Sequence, residues 1–312
     1  MTCSAMDRNT ALRRIGLLVL GINGVLVVAK GGVYFATGSI AVGSEAVNSI
    51  ADGVYSLVVV GGLYVTTQPP DPDHPHGHER IEPFVSLFVA LGILAAGIAV
   101  LYNAVRSIQT GPVAVGELSA IAVLAGTAVV KYLLYRYCLR VSRTYHSPAI
   151  EATALDNRAD VLTAIAALIG VLGASVGWPV LDPVAGIVVS LGIMYTGIEI
   201  VVDNVGYLVG VAPSEELRKE IVDRALSHPD VYGVHDVVPH HVGPEVDVSL
   251  HLEIEGDRSF TDAHDIETDV VESIREITEV DDVFVHLDPK ELGEWKDTDS
   301  SYTDGTETDG TE

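Results

Sequence analysis

Two pairs of oxygen-bearing side chains, each spaced four residues apart, sit in runs otherwise apolar enough to span a bilayer: Asn48 with Asp52, and Asp156 with Asp160. Four residues is about one helical turn, so each pair shares a helix face. A carboxylate in hydrocarbon is costly, and its presence there points to an ion or substrate pathway. Two helices presenting such pairs to each other can enclose a cation, and a divalent ion would neutralise carboxylates that lipid cannot solvate. Asn48 alone is as well explained by an interhelical hydrogen bond, and Asp156 alone by pairing with Arg158. Three carboxylates and an amide at matching spacing favour a metal site. Glu45, one turn before Asn48, either guards the outer mouth or merely reaches the interface.

Two further groups have ligand chemistry. In the connection from Asp71 to Arg80, a carboxylate at Asp71 and imidazoles at His74 and His78 are able to bind zinc or a similar ion. A solvated polar loop explains them too, and it is the reading preferred for His76. The C-terminal part holds His235, His251, His264, His286 and Asp288. On the strands proposed below, His251 and His286 face away from the apolar side, as ligands on a sheet surface or at a dimer interface would. Isolated surface histidines are common, and spacing alone does not decide.

The elements that must position these residues follow from composition. The chain has 312 residues, 48% of them hydrophobic, yet a net charge of −25, with a mean hydropathy of +0.34. Those values fit together only if charge and apolar residues are segregated. Apolar runs dominate from Ala11 to Gly210, whereas Pro213 to Glu312 is crowded with Asp and Glu. The expected organisation is a cytoplasmic N-terminal segment (1–11), a transmembrane transport domain (12–210), a cytoplasmic α+β domain for metal binding and dimerisation (211–290) and a disordered acidic tail (291–312). Cys3 and Cys138 imply neither a disulfide framework nor a cysteine-based metal site. Such acidity disfavours nucleic acid and anionic lipid as partners. A high-salt cytoplasm that screens self-repulsion fits it, and a soluble-domain melting curve that fails to rise with salt would argue against that fit.

Six runs are long enough to cross hydrocarbon as helices: Leu12 to Thr37, Ile40 to Thr66, Ile81 to Ile108, Glu117 to Leu139, Ala149 to Val176 and Leu181 to Gly210. Arg8, Arg13 and Arg14 before the first run superficially resemble a signal peptide, but the run is too long and no cleavage site precedes soluble sequence. Turn chemistry separates the runs at Gly38-Ser39, Pro69-Pro70, Gly111-Pro112, Ser147-Pro148 and Gly177-Trp178-Pro179. Arginines flank the N-terminus and the second and fourth connections, so both termini are expected in the cytoplasm, with Arg106 as the exception.

The acidic domain reads as helix, strand, strand, helix, strand. A helix from Pro213 to Ser227 opens with a first-turn proline and two glutamates. Val246, Val248, Leu250, Leu252 and Ile254 alternate with polar residues as one strand. Thr261 is expected to cap a helix with Ile266, Val270, Ile274 and Ile277 on one face. Val283, Val285 and Leu287 form one face of a last strand, and the whole is a small α+β (αββαβ) layer pair of metallochaperone-like type.

These residues resemble the cation diffusion facilitators, proton-coupled exporters of divalent transition metals. The resemblance runs from Leu12 to Pro289. It rests on Ser44 to Asp52, Asp73 to Glu82, Asp156-Asn157-Arg158-Ala159-Asp160 and the ending His286-Leu287-Asp288-Pro289. It implies a multi-pass cell-membrane homodimer that is not an enzyme, has no prosthetic group and moves metal against protons. Residue by residue it places a transport site on Asn48, Asp52, Asp156 and Asp160, and a loop site on Asp71, His74 and His78. A cytoplasmic binuclear site falls on His235, His251, His264, His286 and Asp288. Zinc members typically carry His at the position of Asp156, whereas Asn-Asp with Asp-Asp looks like the manganese branch. An all-oxygen site suits Mn²⁺ better than Zn²⁺; the soluble-domain histidines pull toward zinc, and Fe²⁺ and Co²⁺ stay open. The expected mechanism is alternating access, with protons competing for the carboxylate oxygens. The alternatives are a non-transporting metal sensor or scaffold on the same fold and an intramembrane aspartyl protease. The protease gives no role to Asn48, the loop histidines or the soluble domain.

Overall fold

A computed structural model describes residues 3–37, 40–69, 71–74, 77–110, 118–175, 178 and 180–291. The expectations for His76, for the Gly38-Ser39 and Gly111-Pro112 turns, for Gly177 and Pro179, and for the acidic tail from 292 onward lie outside those residues, as does the side chain of Glu45. Two compact units divide the chain, Met1–Val205 and Gly206–Glu312.

The first unit is helical: α1 (Cys3–Thr37), α2 (Ile40–Thr66), α3 (Glu82–Thr110), α4 (Leu118–Tyr145), α5 (Pro148–Ser175) and α6 (Leu181–Val209), the last running into the second unit. A short 3₁₀ turn, Glu79–Ile81, leads into α3. Five of the six are long and apolar enough to cross a membrane. The exception, α5, has comparable length but carries Glu151, Asp156, Arg158 and Asp160. It is packed against α4 and α3, which shelters Asp156, Arg158 and Asp160 from lipid, while Glu151 near the helix start is exposed. The outward faces of the other helices carry Val28, Phe35, Leu57, Leu91, Leu133 and Val188, all exposed. A helix bundle whose surface is this apolar suits hydrocarbon as its solvent.

α1 starts well before the expected span and α4 runs past its expected end at Leu139. A polar cluster at one end of the bundle explains both extensions. Glu82, fully buried at the start of α3, accepts from Arg8 Nη2 of α1 at 3.2 Å and, in a very short bond, from the hydroxyl of Ser147. Arg8 Nε also donates to the Tyr145 carbonyl that ends α4 (3.0 Å). Ser147 Oγ in turn accepts from the Ile150 amide of α5 (3.3 Å). Four helices meet there, and each charge has a partner, as burial requires. Close packing elsewhere depends on missing side chains. A Cβ on Gly62 of α2 would overlap Val85 of α3, and one on Gly92 of α3 would sit 2.8 Å from the Tyr55 ring of α2.

The second unit contains α7 (Glu215–Leu226), β1 (Gly233–Val242), β2 (Glu245–Ile254), α8 (Phe260–Arg275) and β3 (Val280–Pro289). The sheet order is β1-β2-β3, with β2 antiparallel to β1 and parallel to β3. The parallel pair needs a crossover, which α8 supplies. Val246, Val248, Leu250, Leu252 and Ile254 are buried with Ile266, Val270 and Ile274 of α8 and Ile221 of α7, so the period of two reports the sheet's inner face. Two caps differ from expectation. Ser214, not Pro213, starts α7, its hydroxyl accepting from the Leu217 amide. Ser259, not Thr261, caps α8, accepting from the Asp262 amide at 3.1 Å. Both are serines immediately before the helix, where a short hydroxyl side chain reaches the third amide.

Candidate metal sites

Asp52 projects from α2, and Asp156 and Asp160 from α5. Asp52 is 8% exposed, and Asp156 stands within electrostatic range of Asp52 and Asp160. Asn48, one turn before Asp52, is exposed and makes no hydrogen bond among the described residues. The structure therefore brings three of the four expected residues together and leaves the fourth at the surface of the helix. A group that sequence reasoning missed joins the three. Lys131 of α4, 1% exposed, donates from Nζ to Asp52 Oδ2 at 2.8 Å. The same Nζ lies 2.7 Å from Asp160 Oδ2, an ion pair by distance whose oxygen lacks hydrogen-bond alignment. Its signal was available, since Lys131 interrupts an apolar run as Asp156 does.

A small cavity, about 10 Å³, adjoins Asp156 and is lined by Asn23, Ser56, Thr153 and Asn157 among apolar neighbours. Asn23 Nδ2 donates to Ser56 Oγ at 2.7 Å. The carbonyl oxygens of Asn23 and Asn157 are buried without a partner among the described residues. That volume is enough for a single water, which such oxygens would bind.

The loop residues do converge. Asp71 Oδ1 accepts from the Asp73 amide (2.9 Å) and the His74 amide (2.7 Å) and lies 3.1 Å from His74 Nδ1. Its Oδ2 is 3.6 Å from His78 Nε2, and the two imidazoles stack at 4.3 Å. The His74 amide hydrogen bond is the largest influence holding the Asp71 carboxyl below its ordinary pKa. His78 Nδ1 is buried without a partner among the described residues. The carboxylate orders the loop, and its ligand atoms lie within 4.8 Å of those of both histidines.

In the soluble unit three strands place imidazoles side by side, His235 opposite His251 and His251 opposite His286. Ring centroids are 5.1 and 4.6 Å apart. Asp288 joins them, with Oδ2 2.8 Å from His251 Nδ1 and 3.4 Å from His235 Nε2, and Oδ1 3.3 Å from His286 Nε2. Two acids absent from the sequence reading complete the group. Asp236 Oδ2 lies 3.0 Å from His235 Nδ1, and Glu253 Oε1 lies 3.9 Å from His235 Nε2. Asp236 has φ +49 at a break in the β1–β2 register, a strained conformation of the kind that re-aims side chains at sites. His264, on α8, is exposed and pairs only with Glu267 (3.7 Å); within one chain it stays apart from the row. At the other end of the sheet Asp247, Asp281 and Asp282 face one another. Partial desolvation and then Glu245, Asp282 and Asp247 push the Asp281 carboxyl up to about 6, against Arg275.

The geometry thus holds carboxylates inside a membrane-type bundle and imidazoles on a separate αββαβ sheet. The cation efflux transmembrane domain family matches residues 16–209, and the cation efflux cytoplasmic domain family matches 213–290. The chain belongs to the cation diffusion facilitators. These are cation efflux transporters, not enzymes, so the protease alternative falls away. The protein is a multi-pass membrane protein with a cytoplasmic C-terminal domain of a kind that implies dimerisation, and its substrate is a divalent metal. An uncharacterised transporter of Methanocaldococcus jannaschii is 32% identical over 283 residues, covering 91% of this chain and 98% of the relative. The Bacillus subtilis manganese efflux system proteins MneP and MneS are each 28% identical, over 91% and 80% of this chain and 98% and 85% of their own lengths.

Proposed function

We propose that this cation diffusion facilitator exports Mn²⁺ from the cytoplasm in exchange for protons, as a cell-membrane homodimer with both termini inside. The observation that carries the reading is the all-oxygen donor set of Asp52, Asp156 and Asp160 between α2 and α5, with no imidazole or thiolate beside it among the described residues. Hard oxygen donors favour Mn²⁺ over Zn²⁺, and two relatives are named as manganese efflux proteins. The resemblance assigns Asn48, which stands exposed one turn before Asp52, to the same set. In this reading residues 12–210 form the transport domain and 211–290 the regulatory one.

The three carboxylates bind the substrate ion from the cytoplasm; the bundle rocks; protons then compete for the same oxygens and release it outside. Asp71, His74 and His78 form an accessory loop site. The row of His235, His251, His286 and Asp288 binds a second ion that favours one arrangement of the dimer, and His264 joins it only if a second copy of the chain brings it there. That row is the observation favouring a second reading, in which Zn²⁺ is sensed or carried.

Uptake into proteoliposomes under an imposed pH gradient, with Mn²⁺, Zn²⁺, Fe²⁺ and Co²⁺ compared, tests both readings. Asp156→Ala should abolish transport, and Asp156→His should shift preference toward Zn²⁺. Transport unaffected by Asp156→Ala would refute the site, and Zn²⁺ moving faster than Mn²⁺ in the wild type would refute the specificity.

A further inference from the structure

Lys131 occupies the position that a substrate ion needs. Its ammonium is buried in α4 and lies 2.7–2.8 Å from one oxygen each of Asp52 and Asp160. A metal ion bound by those oxygens would lie at a comparable distance from them, so ion and ammonium exclude each other both by volume and by charge. Other titratable groups stand around the same oxygens. Asp156 faces the same pair from α5, Lys30 of α1 is buried within electrostatic range of Asp160, and Cys138 lies along α4 itself. What sets Lys131 apart from an ordinary helix tie is that the two carboxylates it bridges, from α2 and α5, belong to one ligand set. A desolvated mid-span cation is also far costlier than an apolar residue unless it has a task.

Resting on the membrane-site assignment above, we propose that Lys131 is a tethered competitor for the transport site. Its ammonium neutralises Asp52 and Asp160 when no substrate is bound, is displaced when a divalent ion enters, and returns to help expel that ion. No bond is made or broken; one cation exchanges for another on the same oxygens. Because the competitor is covalently attached, its effective concentration is high and constant. It therefore weakens affinity without abolishing binding and speeds release.

The test is equilibrium Mn²⁺ binding to the purified full-length chain in lipid nanodiscs, followed by free-Mn²⁺ electron paramagnetic resonance, alongside transport in proteoliposomes. Lys131→Met and Lys131→Gln should each tighten Mn²⁺ binding by about tenfold or more, and should lower KM and kcat together because release slows. Lys131→Arg keeps the charge and should keep the weaker binding. Two variants guard against one that fails to fold. Unchanged or weaker Mn²⁺ binding in the folded neutral variants would overturn the proposal and leave Lys131 a structural tie. A Mn²⁺ stoichiometry left unchanged by Asp156→Ala in the wild-type background would instead overturn the site assignment, so the two failures are distinguishable.

Discussion

Asp281→Asn should stabilise the soluble domain, and only on the alkaline side of a defined window. Asp281, Asp282, Asp247 and Glu245 crowd one end of the β2–β3 pair, and the Asp281 carboxyl is pushed up from 3.8 to about 6. A carboxylate whose folded pKa is raised contributes stability below its unfolded value and loses it as pH rises through the folded value. Taken at face value, a shift of about two units corresponds to roughly 3 kcal/mol. Asp281 is exposed, so solvent screening reduces this to about 1 kcal/mol. For a domain of this size that is roughly 4–8 °C in Tm. The assay is thermal unfolding of residues 206–291, which enclose their own core, with a chelator present throughout. Relative to wild type, Asp281→Asn should melt higher at about pH 7.5 and equally at about pH 3.5, below the ordinary carboxylate value. Molar salt should shrink the gap. A gain of the same size at both pH values, or a loss at the higher one, would refute the electrostatic reasoning.

Glu82→Ala removes the centre of the four-helix cluster and leaves Arg8 only the Tyr145 carbonyl and the more distant Glu79 among the described residues; about 3 kcal/mol of destabilisation is expected. It would be read as a lower melting temperature in detergent, with Arg8→Ala/Glu82→Ala costing less than the sum of the single changes. Gly62→Val should overpack α2 against Val85 and cost about 1–3 kcal/mol. Gly61→Ala, where an added Cβ meets nothing within 4 Å, should be neutral or slightly stabilising; equal effects at the two positions would contradict the packing. Ser259→Ala should cost about 1 kcal/mol through its lost cap, whereas Thr261→Ala should cost much less, measured by denaturant unfolding of the soluble domain.

Much of the fold was legible because its signals are local. Six apolar runs and the alternation from Val246 to Ile254 each report a pattern that burial enforces, and the four-residue spacing of Asp156 and Asp160 reports a shared helix face. What was not legible depends on contacts distant in sequence. Arg8, Glu82 and Ser147 lie too far apart to be linked by spacing. Asp236 reaches the histidine row only because a break in strand register turns it there. Asp247 is buried although the strand's alternation would expose it, at another irregularity between Val246 and Val248. Lys131 is different in kind. The reasoning that singled out Asp156 applies to it equally, but flanking arginines and hydropathy drew attention to the ends of that span and away from its middle.

The alignment of His235, His251 and His286 across three strands has a mechanical consequence. Both edge strands, β1 and β3, are held to β2 only on one side, and edges are where a small sheet frays first. An ion gripping one imidazole from each strand, as proposed above, would act as a crossbar perpendicular to the chain direction, so that neither edge would open without first losing the ion. Local opening of the domain would thereby be coupled to free metal concentration through mass action. Scarcity of metal would loosen the two outer strands, and abundance would make the sheet one cooperative piece.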